Sequence, residues 1–546
     1  MDFLRTLMRP VASVAGRHAS RQLAVFMEAH ANTHEVQNAL LAELIEAHSQ
    51  TGFGRQHGLG SVKGYEDFKA AVPVGNYETL RPYMEQVFQG QSEALLPPGE
   101  EPLMFAQTSG TTGKPKQIPV TARFLEDMRR GFNMFGLRVL RDHPAGWLRP
   151  IVQISSPMNE SESPSGLPCG AISGLLSASQ KWIVKRMYVV PQEVSAIRDP
   201  ETRFYLTLRC GMASDVGIIT TANPSSTIKL AETGQKYAER IVRDVADGDV
   251  NPPGELPKSL RRELRFRPDR QLAGRMANGI KCDGKLLPKH FWNLAFLTNW
   301  TGGTLKLYMP RLRELFGQVP VRDIGLLASE GRFSLPIEDG TAAGLAEITG
   351  NFLEFISVED ADEENPPTVR AEEVEVGRDY FLVVTNWAGL WRYNIDDRVR
   401  ITGFYKKSPI FEFLSRGQNT ANITGEKITE HHVVEAMRQA ARQANVQIER
   451  FVFQGRFSST PYYELRLPLC QGVDATQLAE LMDKALGLVN MEYASKRQSQ
   501  RLGPIRPVIL PKGVLTETEE QIIMRRGGRS EQYKHQYLMT EILADE

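Results

Sequence analysis

The segment TSGTTGKPK, from Thr108 to Lys116, decides how the rest of this 546-residue chain is interpreted. Its glycines let the backbone turn so that several N–H groups point into one hollow, and the adjacent hydroxyls add further donors. A Walker A loop needs G-x-x-x-x-G-K-[ST], whereas here the two glycines lie three residues apart and a proline follows the first lysine. The segment therefore predicts a loop of another type that holds the phosphates of a nucleotide.

The composition is that of a soluble globular protein large enough for at least two domains. Hydrophobic residues make up 41% of the chain and charged residues 24%, and single cores stop growing near ~250–300 residues. Lys plus Arg and Asp plus Glu are equal at 65 each, so no net field favours nucleic acid or an acidic membrane. The four cysteines form no C-x-x-C pair, which argues against zinc sites and disulfides. No apolar run approaches the ~18 residues of a membrane span, and we expect a cytoplasmic protein.

A carboxylate follows a short apolar run in the segment Leu327-Ala328-Ser329-Glu330-Gly331. Mg²⁺ prefers a few carboxylates together with phosphate oxygens. Glu330, at the end of a strand that faces a triphosphate, would suit that metal. Alone, a glutamate after a strand is usually a solvated residue, so this interpretation depends on the phosphate loop.

Charged residues also surround three predicted strands, Tyr380–Thr385, Val399–Tyr405 and Ile410–Leu414. We expect the acidic pair Asp396-Asp397 in a turn between strands, where an aspartate can accept both hydroxyls of a ribose. An ordinary acidic hairpin turn is the alternative. Arg416 and Lys427 place two cations around a plausible hinge at residues 417–420, and cations stabilise the pentavalent α-phosphate of an adenylation reaction.

The chain beyond residue 417 reads as a small α+β unit. A helix over Glu430–Ala444 is followed by strands near Phe451–Phe453 and Tyr463–Leu467, a helix over Thr476–Val489 and a strand at Val508–Leu510. We therefore predict an α/β protein with a large N-terminal domain of mixed sheets and helices at residues 1–417. A small, mobile α+β domain would occupy residues 418–546.

Taken together, these motifs resemble the adenylate-forming enzymes, and within them the GH3 acyl acid amido synthetases. The phosphate loop alone is shared with acyl-CoA synthetases and luciferases, whereas the remaining motifs carry the GH3 signal. They are Phe68–Val74 with Tyr77–Tyr83, the Ser329-Glu330 segment, Leu390–Phe404, the eleven-residue separation of Arg416 and Lys427, and the closing Gln532-Tyr533-Lys534. The resemblance extends from about residue 20 to residue 540.

The resemblance implies a fold, an activity and a set of site residues. The enzyme would use ATP and Mg²⁺ to convert a carboxylic acid to an acyl-adenylate, and would then transfer the acyl group to an amine, most simply that of an amino acid. Glu330 would hold the metal, Asp397 the ribose, and Lys427, Lys534 and Arg416 would act on the α-phosphate. The nucleotide-binding residues would be Thr108, Ser109, Gly110, Thr111, Thr112, Ser329, Asp397 and Arg416.

Some residues depart from the family, and other functions stay open. Asp396 stands where the family has glycine, and Leu326 and Ala328 replace a tyrosine and a serine of the plant sequences. An acyl-CoA ligase would share the loop, the metal glutamate and the ribose aspartate, but it usually carries a P-K-T-x-x-G-K context that is absent here. A nucleotide-binding protein without catalysis is a second alternative. A P-loop phosphotransferase is disfavoured by the spacing of the loop.

Overall fold

The structure is a computed structural model, and it describes most of the chain. The described residues are 19–107, 116–154, 161–178, 182–197, 199–361, 363–417, 420–421, 423–424, 426, 428–458, 460–468, 472–498, 502–511, 513–515, 517, 519, 521 and 535–544. The predicted site residues Thr108–Thr112, Lys427 and Lys534 lie outside these residues. No helix in the described part is both long enough and apolar enough to cross a membrane.

Helices come first along the chain. They are α1 (19–29), α2 (Thr33–His48), α3 (Gly52–Gln56), α4 (Tyr65–Ala71) and α5 (Tyr77–Phe88). Helix α2 buries Leu40, Leu41 and Leu44 on one face, the spacing expected of an amphipathic helix. Helix α5 begins at a capping box, in which the Asn76 side chain accepts a hydrogen bond from the N–H of Glu78.

A four-stranded sheet holds the two ends of the predicted phosphate loop. Its strands are β1 (Pro102–Gln107), β2 (Gln117–Thr121), β4 (Ser161–Glu162) and β5 (Pro168–Gly170), in the order β2-β1-β5-β4; β3 (Ile151–Gln153) belongs to the next sheet. Strands β1 and β2 are antiparallel, and Gln107 pairs with Gln117. The loop therefore starts and ends at adjacent positions of one sheet, and α6 (Ala122–Asp142) follows β2 with Thr121 as its N-cap.

A second sheet is wholly parallel and lies among helices. Strands β6 (Ile218–Thr220), β7 (Phe296–Asn299) and β8 (Val321–Asp323) join β3 in the order β3-β6-β7-β8. The helices of this region are α7 (Ile172–Ala178), α8 (Trp182–Lys185), α9 (Gln192–Ser195), α10 (Pro200–Met212), α11 (Pro224–Lys236), α12 (Ala238–Asp247), α13 (Lys258–Glu263), α14 (Arg270–Asp283) and α15 (Met309–Phe316). Phe291 and Trp292 lie in the hydrophobic core that these helices share with the sheet.

The central part of the chain forms an antiparallel sheet. A hairpin of β9 (Leu327–Ala328) and β10 (Gly331–Arg332) precedes it. The sheet contains β11 (Ser334–Leu335), β12 (Gly344–Ala346), β13 (Asn351–Ser357), β14 (Val369–Arg370), β15 (Asp379–Asn386), β16 (Leu390–Tyr405) and β17 (Ser408–Arg416), in the order β11-β12-β17-β16-β15-β13-β14. The three predicted strands are present, but the prediction of a turn at Asp396-Asp397 was wrong. The pair lies within the long strand β16, beside an irregularity in its pairing with β17.

The C-terminal part has its own sheet, helices and hydrophobic core. Its elements are β18 (Thr420–Ala421), β19 (Ile428–Thr429), α16 (Glu430–Gln443), β20 (Val452–Phe457), β21 (Tyr462–Pro468), α17 (Ala475–Val489), α18 (Met491–Gln498), β22 (Arg506–Leu510) and β23 (Leu538–Ala544). Strands β22, β21, β20 and β23 form a mixed sheet in that order, and Met437, Phe453 and Met482 are buried together between it and the helices. These elements agree with the predicted α+β unit, while the division at residue 417 stays a prediction.

Candidate active site

Glu330 is the buried centre of the candidate site. Ser329 and Glu330 form the turn of the β9–β10 hairpin, and Ser329 is half-buried. The Asn386 side chain holds this turn by donating a hydrogen bond of 2.8 Å to the Glu330 carbonyl oxygen. The Glu330 side chain is fully buried, and neither of its carboxylate oxygens has a hydrogen-bond partner among the described residues. Because an unsatisfied buried carboxylate is costly, this arrangement suits a ligand that supplies the missing partner.

Arg416 lies at the end of β17 and faces two carboxylates. Its Nη2 is 3.7 Å from Oε1 of Glu330, and its Nε is 3.6 Å from Oδ1 of Asp397. Both distances are longer than a hydrogen bond, so the guanidinium is attracted to the carboxylates without being bound by either. Burial lowers the pKa of Arg416, but the charges of Asp397 and Glu330 outweigh this effect and the net pKa is raised. Nearly half of the side chain stays exposed, at 45%, so a ligand can reach it.

The two neighbouring aspartates differ in exposure and in backbone conformation. Asp397 is buried, whereas Asp396 is exposed and has a φ of 64°. This left-handed region favours glycine and is tolerated by aspartate, which explains how Asp396 can replace the family's glycine. The Asp396 carbonyl oxygen accepts a 2.6 Å hydrogen bond from the N–H of Gly417. Asp397 pairs with Arg416 across the two strands, and its predicted role at the ribose stays a prediction.

Sequence reasoning missed two tyrosines beside the site. Lys116, the last residue of the predicted phosphate loop, donates a hydrogen bond of 2.9 Å to the hydroxyl of Tyr393. Its ammonium lies 5.5 Å from the centre of the Tyr393 ring and 5.7 Å from that of Tyr77. Tyr393 is on β16, the strand that carries Asp397. Its position on the same strand as Asp397 was the one signal in the sequence that could have indicated Tyr393. The sequence does not show which residues of a strand face the site, because that depends on how the strands pair in the sheet.

The arrangement fits Mg²⁺ bound together with a nucleotide. Within the described ranges, no group of three or more His, Cys, Asp or Glu side chains could hold a metal ion by itself. Mg²⁺ is usually held by one or two carboxylates with substrate phosphates and water completing its shell. Glu330 supplies one such carboxylate, and its oxygens accept no hydrogen bond within the described part of the chain.

Comparison with solved structures defines the class of fold. The structure superimposes on the AtGH3.15 acyl acid amido synthetase in complex with 2,4-DB with a TM-score of 0.84, at 20% identity, over 96% of this chain and 95% of that chain. A 2-hydroxyisobutyryl-CoA ligase in the postadenylation state gives a TM-score of 0.55, at 14% identity, over 92% and 89% of the two chains. The fold is therefore the one shared by these enzymes, which confirms the predicted fold class.

Sequence comparison defines the family. Residues 22–321 match the GH3 family N-terminal domain, residues 345–416 its central domain and residues 431–541 its C-terminal domain. The chain belongs to the GH3 family, as predicted. It is 25% identical over 509 residues to a jasmonoyl–L-amino acid synthetase, JAR4, of Nicotiana attenuata, covering 88% of this chain and 86% of the relative. It is 23% identical over 547 residues to the indole-3-acetic acid-amido synthetase GH3.3 of Arabidopsis thaliana, covering 92% and 89%.

Proposed function

We propose that this chain is an ATP-dependent acyl acid amido synthetase. It would convert a carboxylic acid to an acyl-adenylate with release of pyrophosphate, and then transfer the acyl group to an amine, expected to be an amino acid, with release of AMP. Membership of the GH3 family supports this reaction. The names of two relatives support it as well, since one is a jasmonoyl–L-amino acid synthetase and the other an indole-3-acetic acid-amido synthetase. A cytoplasmic location is part of the proposal.

One observation carries the proposal beyond family membership. The carboxylate of Glu330 is fully buried without a hydrogen bond in the described part of the chain, and the half-exposed guanidinium of Arg416 lies 3.7 Å away. A protein that had only kept the fold would have no physical reason to retain a buried charge with unsatisfied oxygens. The pair therefore favours a working nucleotide site over a binding protein that has lost its chemistry.

In the first half-reaction, a carboxylate oxygen of the acid attacks the α-phosphorus of ATP and the bond to pyrophosphate breaks. We assign the β- and γ-phosphates to the loop residues Thr108–Thr112 and Ser329, and the ribose to Asp397. Glu330 would hold Mg²⁺, which when bound would neutralise charge on the phosphates. Arg416 would stabilise the charge that develops on the α-phosphate oxygens, with Lys427 or Lys534 as a second cation.

In the second half-reaction, the amine nitrogen attacks the acyl carbonyl carbon and the bond to AMP breaks. The small C-terminal domain would rotate between the two steps about the link after Arg416. Gly417, at the start of this link, has a φ of 71°, a conformation that glycine adopts without strain. Its N–H bond to Asp396 ties the link to the strand that carries Asp397. A rotation of the small domain would therefore act directly on the ribose side of the site.

The first experiment is an ATP–pyrophosphate exchange screen over a panel of carboxylic acids. Acids that drive exchange are then incubated with mixed amino acids and, separately, with CoA, and the products are identified by mass spectrometry. We expect exchange with at least one acid and formation of an amide. A thioester in place of an amide would assign the chain to acyl-CoA ligation. Absence of exchange with every acid, combined with ATP binding in a calorimetric titration, would reduce the proposal to a nucleotide-binding protein.

A further inference from the structure

We propose that Tyr77 and Tyr393 form a clamp that holds the ammonium group of Lys116 in place to contact the triphosphate of ATP. In this role the two tyrosines are positioning residues and Lys116 is the group that touches the substrate. The inference rests on the proposed function and adds residues to its site. We call Tyr77, Tyr393 and the bonds that they make to Lys116 and Gln117 the tyrosine clamp.

Tyr393 holds the side chain of Lys116. Its hydroxyl oxygen accepts the 2.9 Å hydrogen bond from Nζ, and its ring lies within cation–π distance of the same ammonium. Tyr393 is itself fully buried. Burial, reinforced by the charge of Glu330, raises the pKa of Tyr393, so the phenol keeps its proton. It therefore accepts the hydrogen bond from Lys116 as a neutral hydroxyl.

Tyr77 holds the backbone beside Lys116. Its hydroxyl oxygen accepts a hydrogen bond of 2.9 Å from the N–H of Gln117, the first residue of β2. The centre of its ring lies 5.7 Å from the Lys116 ammonium. Tyr77 is also the first residue of α5, and the capping box at Asn76 fixes the start of that helix. The end of the phosphate loop is therefore anchored through both its main chain and its last side chain.

The two tyrosines are tied together by the main chain. Gly75, two residues before Tyr77, pairs with Tyr393 as an isolated bridge. The Gly75 N–H donates to the Arg392 carbonyl oxygen at 3.1 Å, and its own carbonyl oxygen accepts from the N–H of Asn394 at 2.8 Å. The segment that leads into Tyr77 is thus hydrogen-bonded to β16, the strand that carries both Tyr393 and Asp397.

The charges around Lys116 indicate where its ammonium acts. Burial lowers the pKa of Lys116, and the nearby carboxylate of Glu330 opposes this effect, followed by those of Asp396 and Asp397; Arg416 acts with burial. The ammonium thus sits among the same groups that we assign to the metal, the ribose and the α-phosphate. A lysine side chain that is already ordered at this point loses less conformational freedom when a phosphate binds, which favours binding.

A double-mutant cycle tests the tyrosine clamp. The proteins are the wild type, Tyr393→Phe, Lys116→Met and the double variant, and the quantity is the KM for ATP in acid-dependent pyrophosphate exchange. Removing a single hydrogen bond to a charged group should raise the KM of Tyr393→Phe by about tenfold. Because the hydroxyl acts only through Lys116, the same change in the Lys116→Met background should alter the KM by less than about twofold.

Two further variants separate positioning from general stability. Tyr77→Phe removes the acceptor for the Gln117 N–H and should also raise the KM for ATP, by about three- to tenfold. Tyr205→Phe is the matched control, because it deletes a buried hydroxyl that donates a hydrogen bond of 2.6 Å to Asp244 away from the site. It should leave the KM for ATP unchanged. Thermal unfolding of every variant shows whether a loss of exchange follows from unfolding.

Two results would overturn the clamp. One is an unchanged KM in Tyr393→Phe. The other is an equal rise in the wild-type and Lys116→Met backgrounds, which would mean that the tyrosine acts independently of the lysine. If no acid drives exchange, the proposed function fails, but the same cycle can be measured as ATP affinity by calorimetry. Coupling between the two substitutions in ATP affinity would then support the clamp even without the reaction, whereas additive losses of affinity would reject it. A wild type that binds no ATP would reject both proposals.

Discussion

Two arginine–glutamate pairs belong to the same central sheet region and differ in how completely they are satisfied. Arg392 and Glu354 are 3% and 1% exposed, and their closest ion-pair distance is 2.9 Å. Both members make further hydrogen bonds: Arg392 also donates to the Val72 carbonyl oxygen, and Glu354 accepts from the Tyr65 hydroxyl. Arg416 and Glu330 approach only to 3.7 Å, and the buried carboxylate has no hydrogen bond in the described part of the chain.

The difference distinguishes a structural ion pair from the pair at the candidate site. Arg392 and Glu354 use their hydrogen-bonding capacity on each other and on the protein, so they hold β13 and β16 together and have little left for a ligand. The carboxylate oxygens of Glu330 accept no hydrogen bond from the described residues, and the Arg416 side chain is still partly exposed to solvent. A buried charge whose oxygens accept no hydrogen bond lowers the stability of the fold. Proteins commonly tolerate such a loss of stability at functional sites.

The largest expected effect is on stability, at the structural pair. Glu354→Ala leaves the Arg392 guanidinium buried without its partner, and this should lower the free energy of unfolding by about 3–5 kcal/mol. Urea denaturation measures the change. Glu330→Gln is the comparison, and it should leave stability unchanged or higher because it removes an unsatisfied charge. Equal destabilisation by the two variants would mean that the two pairs do not differ as described.

The next effect is on chemistry, at Arg416. Arg416→Ala should slow acyl-adenylate formation by about 100- to 1000-fold, because it removes a donor to the developing charge. Arg378→Ala is a matched control, since Arg378 is 44% exposed and is also ion-paired with two carboxylates. Lys427→Ala or Lys534→Ala should cost about 100-fold if that lysine is the second cation. Wild-type single-turnover rates in both lysine variants would remove them from the chemistry.

Glu330 can be tested through its dependence on Mg²⁺. Mutating a residue that only hydrogen-bonds to a metal ligand already weakens metal binding by about 10- to 100-fold. Replacing the ligand itself, in Glu330→Gln, should therefore raise the half-saturating Mg²⁺ concentration by at least about tenfold. High Mg²⁺ should restore much of the exchange activity. The Arg378→Ala control should show the wild-type Mg²⁺ dependence. An activity loss that no Mg²⁺ concentration relieves would contradict the metal role.

A smaller effect separates the two aspartates. Asp397→Asn should raise the KM for ATP by about tenfold, because it weakens charge-assisted hydrogen bonds to the ribose hydroxyls. Asp396→Asn should change it by less than about threefold, since the exposed side chain has no assigned contact with the nucleotide. With 2′-deoxy-ATP in place of ATP, the KM of the Asp397→Asn variant should differ less from that of the wild type. A larger effect at Asp396 would exchange the two assignments.

The smallest expected effect is on the pH dependence of stability, at the buried side chain of His48. His48 packs beside Trp391, and its Nε2 has no hydrogen-bond partner among the described residues. Burial lowers the pKa of His48 to about 4. Below pH 6.5 the unfolded chain therefore binds a proton that the folded chain does not, so stability falls as the pH falls from 6.5 towards 4.

This linkage gives a measurable slope. His48 should cost about 1–2 kcal/mol of unfolding free energy by pH 5.5, and His48→Gln should remove that share. His431 and His432 also have pKa values lowered to about 4, chiefly by burial, so part of the slope should remain. Unfolding curves between pH 5 and 8 measure it. An identical slope in the wild type and the variant would show that His48 is not buried in its neutral form.

The predictable part of the site came from residues that lie together in the sequence. The sequence pointed to Ser329 and Glu330 because they follow a short apolar run, and to Arg416 because it follows a predicted strand. Asp396 and Asp397 were placed in a turn because acidic pairs are common there. The long strand β16 includes them because its pairing with β15 and β17 continues past a local irregularity.

The sequence by itself determined the family, because the phosphate-loop pattern, the Ser329-Glu330 segment and the separation of Arg416 and Lys427 occur together and in the family's order. Only the tertiary structure decided which charged pair is saturated and which is left open, since Arg392 and Arg416 look alike until their partners are known. It also decided that Tyr77 and Tyr393 meet at Lys116. Residues 316 positions apart in the chain come together only through sheet pairing, which is a non-local interaction that no sequence pattern specifies.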